Sequence, residues 1–301
     1  MEYHAYVQTK LLFSLALLAT TSAYASAQQL TMPLWPNGTP EGTPATGTEH
    51  DTTKSTDNLI AGKPLQRLTD ISKPSLALYK PANLKTDAPA VVVFPGGGYQ
   101  ILAYDLEGTE VCSWLNSISV TCVLVKYRVP FKGHYPDRFE DLEDAQQAVR
   151  LTRSHAAEWQ IDPHKIGVLG FSAGGHLAVT VSNHSDYQHP GSLPNAVSAR
   201  PDFAVVIYPG YLVAEPVLDK LSPGSAPNAT TPPTFLLQAE DDPVHEENAL
   251  VYYQALKDAK IPAELHIYAK GGHGYGLRPT ELPITHWPSL VETWLHSIQI
   301  L

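Results

Sequence analysis

Cysteine occurs only twice in 301 residues, and the histidines form neither an H-E-x-x-H motif nor a Cys/His cluster. A metal site is therefore not expected. Cations are also scarce, with 20 Lys and Arg against 30 Asp and Glu and a formal net charge of -10. That balance argues against nucleic acid as a partner, since neutralising phosphates takes a basic patch. It suits an exported enzyme with neutral substrates. No apolar run is long enough to span a bilayer: the strongest, Leu11 to Ala19, is broken by Ser14 and falls well short of the ~20 residues required. No internal repeat is visible. What is present is a 43% apolar composition, sufficient for one large core.

The N-terminus reads as an export signal over residues 1–27. Lys10 supplies a positive edge to the apolar run, and Ala25-Ser26-Ala27 fits a small-x-small cleavage site before Gln28, although Glu2 is atypical there. A secreted or periplasmic location follows, with no membrane attachment after removal of the signal. Residues 28–65 are rich in Pro, Gly and Thr without periodicity and read as an extended surface arm. Residues 66–301 read as one domain. From Ala90 onward, strand-like runs alternate with helical patterns, which predicts a mostly parallel sheet with helices on both faces. Such a sheet carries its site at the carboxyl ends of its strands. Leu68–Ile71 and Leu76–Tyr79 are expected as edge strands, Asp141–Trp159 as one long helix, and residues 209–232 as an irregular insert beside the site. Cys112 falls late in a predicted helix and Cys122 early in the next strand. Their spacing leaves open whether they form a bridge or sit as two buried thiols.

The pentapeptide Gly170-Phe171-Ser172-Ala173-Gly174 carries the chemistry. Ile166–Leu169 before it reads as a buried strand, and the residues after it as the start of a helix. A strand, a sharp turn bearing Ser172 and a helix make the nucleophile elbow of the α/β-hydrolase fold. Upstream, the apolar run Val91–Phe94 ends in Pro95-Gly96-Gly97-Gly98-Tyr99. A His-Gly-Gly-Gly turn occupies this place in many esterases, and Pro95 here replaces the His. The N–H groups of Gly97 and Gly98, joined by that of Ala173, are candidates for an oxyanion hole. Tyr99 is a candidate to line the substrate pocket, with a core position as the alternative. No Lys-Ser/Thr pair follows these glycines, which argues against a phosphate loop.

Downstream, the strand-like Thr234–Gln238 ends in Glu240-Asp241-Asp242-Pro243, where the fold places its triad acid. Two adjacent acids compete. Asp242 is favoured because it directly precedes Pro243 and by counting from the strand end; Asp241 is the alternative. After the alternating run Ala263–Tyr268, His273 sits in a glycine-rich loop and completes the order Ser, Asp, His. His176, four residues after Ser172, is expected as a packed helix histidine.

Taken together, Pro95–Tyr99, Tyr127-Arg128-Val129-Pro130, Asp162-Pro163 with Ile166-Gly167, Gly170–His176, Gly272–Gly274 and the opening Leu34-Trp35-Pro36 resemble the secreted carbohydrate-esterase branch of the α/β-hydrolases, the acetyl xylan esterase-like and feruloyl esterase-like enzymes. The resemblance covers roughly residues 33–298. It implies a serine esterase without a cofactor, acting on an acylated carbohydrate or small ester through Ser172, Asp242 and His273. Feruloyl or general short-chain esterase activity is the near alternative, and an inactive carbohydrate-binding hydrolase fold the distant one.

Overall fold

In a computed structural model, the structure describes residues 28–40, 47–84, 86–131, 133–187 and 197–301. The expected export signal at 1–27 lies outside the described residues.

The chain opens with strand β1 (Gln28–Pro33), followed by the short β2 (His50–Asp51) and β3 (Arg67–Thr69), then β4 (Ser75–Tyr79), β5 (Ala88–Phe94) and the two-residue β6 (Leu102–Ala103). A π-helical turn at Asp105–Thr109 leads into α1 (Glu110–Ser117) and β7 (Thr121–Lys126). Next come α2 (Glu140–Ser154), α3 (Ala156–Trp159), β8 (Ile161–Phe171), α4 (Ala173–Asn183), β9 (Ala204–Ile207), β10 (Thr234–Ala239), α5 (Glu247–Asp258), β11 (Ala263–Tyr268) and α6 (Trp287–Ser297).

Eight strands form the main sheet in the order β1-β4-β7-β5-β8-β9-β10-β11. The pairs from β7 to β11 are parallel, while β1 with β4 and β4 with β7 are antiparallel. The central strand β5 is buried along its whole length, as expected for a strand covered on both faces. Its side chains alternate between two cores. Val92 and Phe94 pack with residues of α2, α4 and α5, such as Leu142, Leu177 and Leu256. Val91 and Val93 pack with residues of α1 and α6, such as Leu115, Val291 and Trp294. The result is the three-layer α/β-hydrolase architecture expected from the sequence.

Several local expectations change. Leu76–Tyr79 is not an edge, because β1 pairs outside it. Leu68 instead lies in a separate three-stranded sheet, β2-β3-β6. The N-terminal arm is thus part of the sheet at its start, and its Leu-Trp-Pro opening is anchored: Leu34 and Trp35 are buried, and Trp35 Nε1 donates to Asp144 Oδ1 at 2.7 Å. Asp144 also accepts from the backbone N–H and Nε of the buried Arg128, each at 2.9 Å. Arg278 ties the arm down from the other side, donating to the carbonyls of Lys63 and Pro64 and to Asp105 and Glu110. The helix expected over 141–159 stops at Ser154 and resumes as a single turn, α3, closed by Gln160 in the left-handed region.

Cys112 and Cys122 are bridged. Cys112 is the third residue of α1 and Cys122 the second of β7, where the helix passes close over the strand. There the Cα atoms come within 5.1 Å, inside the range a disulfide needs.

Candidate active site

Four loops at the carboxyl ends of β5, β8, β10 and β11 converge on one point. The chain leaves β5 toward β7 on one side, then returns through β8 on the other, which creates the crevice where ligands bind in open α/β sheets.

Ser172 occupies the turn between β8 and α4 with φ of +52° and ψ of -118°. A non-glycine residue rarely adopts this conformation, which costs of order 1–3 kcal/mol and is held only by its surroundings. The two flanking glycines hold it by permitting close approach. A Cβ on Gly170 would lie 1.9 Å from the Gly174 carbonyl oxygen, and one on Gly174 would lie 2.0 Å from that of Phe94. The serine hydroxyl consequently stands at the tip of the turn. His273 Nε2 lies 2.7 Å from Ser172 Oγ, and His273 Nδ1 lies 2.7 Å from Asp242 Oδ2. An ionised carboxylate only accepts hydrogen bonds, so Nδ1 carries the proton toward Asp242 and Nε2 is free to accept from the hydroxyl. The side chain of Asp242 is fully buried, and its second oxygen accepts the Val244 N–H at 2.7 Å.

Asp241 does not reach the imidazole. Its Oδ1 accepts the N–H groups of Gly271 and Gly272 at 2.9 and 2.7 Å, and these bonds, with Lys270 nearby, hold its carboxyl below the usual range. It braces the loop that presents His273.

Gly97 and Gly98 line a cavity of about 740 Å³ together with Ser172 and His273. Ala173 is the first residue of α4, where the backbone N–H has no partner within the helix. The turn that carries the glycines is fixed by two side chains. Tyr127 donates its hydroxyl to the Pro95 carbonyl at 2.6 Å, and the Gly96 N–H donates to Glu107 Oε2 at 2.6 Å.

Tyr99 does not line the cavity, and this corrects the expectation. Its φ of +58° turns the side chain into the core, where it is 2% exposed. Its hydroxyl hydrogen-bonds with His176 Nδ1 at 2.7 Å. His176 is itself buried, and desolvation drives its pKa well below the ordinary value, in keeping with a packed helix histidine. The aromatic wall of the cavity comes instead from Tyr211 and His134, whose rings lie 4.8 Å apart. Tyr211 belongs to the insert at 209–232, which Asn248 clamps to the turn after Asp242. The Asn248 carbonyl accepts the N–H groups of Leu212 and Val213, and its amide donates to the carbonyls of Val244 and His245. Sequence reasoning missed Glu107, His134, Tyr211 and Asn248. None sits in a recognisable motif, and the partners that mark their roles include distant ones: Tyr208 lies 101 residues from Glu107, and Leu212 lies 36 from Asn248.

The cavity lining is mixed: Ile60, Leu65, Ile101 and Leu106 belong to one apolar cluster, and Glu215, Ser222, His245 and Asn248 are among the polar members. Among the described residues, no group of three or more His, Cys, Asp or Glu is placed to hold a metal ion, and no helix is long and apolar enough to cross a membrane.

Comparison with known proteins places the chain among esterases. The BD-FAE family model matches residues 76–207. An acetylxylan esterase of Xylanibacter ruminicola is 33% identical over 233 residues, which cover 69% of this chain and 45% of that protein. Endo-1,4-beta-xylanase B of Butyrivibrio fibrisolvens is 29% identical, with coverages of 61% and 32%. The chain thus spans less than half the length of both relatives. Among solved structures, an acetyl ester-xyloside bifunctional hydrolase from Caldicellulosiruptor lactoaceticus superposes with a TM-score of 0.68 at 32% identity, covering 91% of this chain and 98% of that one.

Proposed function

This chain belongs to the α/β-hydrolase esterases of the acetylxylan esterase type, and on that footing we propose that it is a serine esterase that removes acetyl groups from acylated plant polysaccharide or its oligosaccharides. The observation that carries the reading is the pair of 2.7 Å contacts by which His273 joins Ser172 to Asp242 beside an open cavity. His273 takes the Ser172 proton as Oγ attacks the ester carbonyl. Asp242 orients the ring and stabilises the imidazolium. The N–H groups of Gly97, Gly98 and Ala173 receive the oxyanion, and one such donor is typically worth about 10²–10³ in rate. The imidazolium then protonates the departing sugar hydroxyl, leaving acetyl on Ser172. Water, activated by the same imidazole, releases acetate and restores the serine. No step requires a cofactor.

The acetylxylan esterase and the acetyl ester-xyloside hydrolase named above support acetylated xylan as the substrate class. The leader-like segment at 1–27 supports secretion or export to the periplasm, where such a polymer is met. The apolar cluster Ile60, Leu65, Ile101 and Leu106 in the cavity lining favours a second reading within the same class, a feruloyl or general short-chain esterase, because it offers an acyl group larger than acetyl an apolar surface. One experiment separates them: turnover of acetylated xylan, methyl ferulate and p-nitrophenyl butyrate by the same preparation. The proposal expects acetate release from xylan to give the highest kcat/KM. Preference for ferulate or butyrate moves the assignment to the second reading, and no turnover of any ester supports a carbohydrate-binding protein that lacks activity.

A further inference from the structure

We infer that Glu107 is a positioning residue of the esterase site, a buried carboxylate that holds the oxyanion turn and the ring wall of His273 in one register. The inference rests on the esterase reading above and adds a residue that no motif marks. Glu107 lies in the π-helical turn Asp105–Thr109, is 3% exposed and faces the same cavity as Ser172 and His273. Its two oxygens take two different donors. Oε2 accepts the Gly96 N–H at 2.6 Å, and Oε1 accepts the Tyr208 hydroxyl at 2.9 Å.

A backbone N–H can only donate. The Tyr208 hydroxyl donates to Oε1 while its oxygen accepts the Gly276 N–H at 3.1 Å. Two donors aimed at two oxygens fit a carboxylate and not a carboxylic acid, which would have to donate to one of them. Burial holds the Glu107 carboxyl above its ordinary value, and the bonds from Tyr208 and Gly96 and the nearby His273 offset this only in part. The other titratable groups acting on it or acted on by it are Asp105, Tyr127 and Tyr275. No Lys or Arg is among them, which leaves the His273 imidazole as its basic neighbour.

The geometry links Glu107 to both halves of the reaction. Gly96 begins the glycine turn, and a Cβ built there would lie 2.8 Å from Glu107 Oε2 and 2.9 Å from Ser172 Cβ. The carboxylate and the nucleophile thus flank one point. Tyr208, held by Glu107, packs edge-on against the His273 ring with centroids 5.0 Å apart. Through Gly96 the carboxylate sets where the Gly97 and Gly98 N–H groups stand. Through Tyr208 it sets the plane of the base. Its charge also favours the imidazolium that forms as Ser172 attacks.

Glutamine can keep the geometry. Its carbonyl can accept from Gly96 while its amide takes the place of Oε1 beside Tyr208, so Glu107→Gln removes the charge and keeps the side chain's size and its bond to the oxyanion turn. Alanine removes both. Kinetics with p-nitrophenyl acetate across pH are read for wild type, Glu107→Gln, Glu107→Ala, Tyr208→Phe and a Ser172→Ala control, each checked for folding by thermal denaturation. Glu107→Ala is expected to lower kcat at least tenfold with KM changed less than threefold, a fraction of the loss of a whole oxyanion donor. Glu107→Gln should recover most of that kcat but move the acid limb of kcat/KM to lower pH. The sign follows twice: removing the negative charge disfavours the imidazolium, and the Glu107 carboxyl, raised by burial, is no longer there to be protonated. Tyr208→Phe should fall between wild type and Glu107→Ala. An unshifted acid limb in Glu107→Gln, or a folded Glu107→Ala with wild-type kcat, overturns the inference. If Glu107→Ala does not fold, the glutamine variant's acid limb decides alone. An active wild type with an inactive Ser172→Ala isolates any such failure to Glu107, whereas an active Ser172→Ala overturns the esterase reading itself.

Discussion

Replacing Asp242 by Asn should nearly abolish turnover without disturbing the fold, and the structure says which way the new amide must face. Asp242 Oδ1 accepts the Val244 N–H at 2.7 Å, and Oδ2 accepts from His273 Nδ1 at 2.7 Å. In Asp242→Asn the single carbonyl oxygen stays on Val244, because turning the NH2 group there would oppose two donors in a buried place and cost about 1–3 kcal/mol. The NH2 group is then aimed at Nδ1. The ring answers by moving its proton to Nε2, which can no longer accept from Ser172 Oγ. Loss of the correct tautomer in a serine triad lowers kcat about 10⁴-fold, equivalent to about 5.4 kcal/mol of transition-state stabilisation at 1.36 kcal/mol per decade. Asp241→Asn should cost less than about tenfold, since it loosens only the exposed brace at Gly271 and Gly272 and leaves the tautomer alone. The assay is kcat on p-nitrophenyl acetate, with circular dichroism as the folding control. A folded Asp242→Asn within tenfold of wild type, or a larger loss in Asp241→Asn, refutes the reasoning.

Two further outcomes concern stability. Reducing Cys112–Cys122, whose sequence separation is 10, should lower stability by about 2.5–3 kcal/mol on the loop-closure relation, read as a lower urea midpoint for the Cys112→Ala, Cys122→Ala double variant; an unchanged midpoint contradicts it. Burial pushes the Asp141 carboxyl up to about 7, whereas in the unfolded chain it titrates near about 3.9. Between those values the folded state binds more protons, so this group's contribution to stability is full below about pH 4 and is lost as pH rises through 7. Asp141→Asn should flatten that part of the urea-midpoint profile between pH 4 and 7.5, and a profile identical to wild type contradicts the assignment.

The parts of the site legible in the sequence are those encoded by short-range necessity. Ser172 announces itself because only glycine fits at 170 and 174 around so tight a turn. Asp242 and His273 follow from lying just past strands whose patterns are plain. The central sheet was legible for the same reason, since β5, β7 and β8 are apolar runs. What depended on a single torsion or on distant partners was not legible. Tyr99 sits beside the glycine turn in sequence, yet its positive φ sends it into the core and leaves the cavity wall to Tyr211, 112 positions further along. Glu107 meets Tyr208 across 101 residues. β1 was invisible as a strand because its pairing with β4 joins segments separated by most of the arm. The tyrosine and arginine of Tyr127-Arg128 looked like family markers; their work is to fasten the Pro95 carbonyl and the acids of α2.

The most direct test of the account is to let the serine declare itself. The protein is incubated with diethyl p-nitrophenyl phosphate, digested, and mapped by tandem mass spectrometry while residual esterase activity is followed on the same samples. The account predicts one diethylphosphoryl group per chain, on Ser172, with activity falling in proportion to its occupancy, and no adduct in Ser172→Ala. Modification at another residue in step with inactivation, or full activity with Ser172 fully modified, would contradict it.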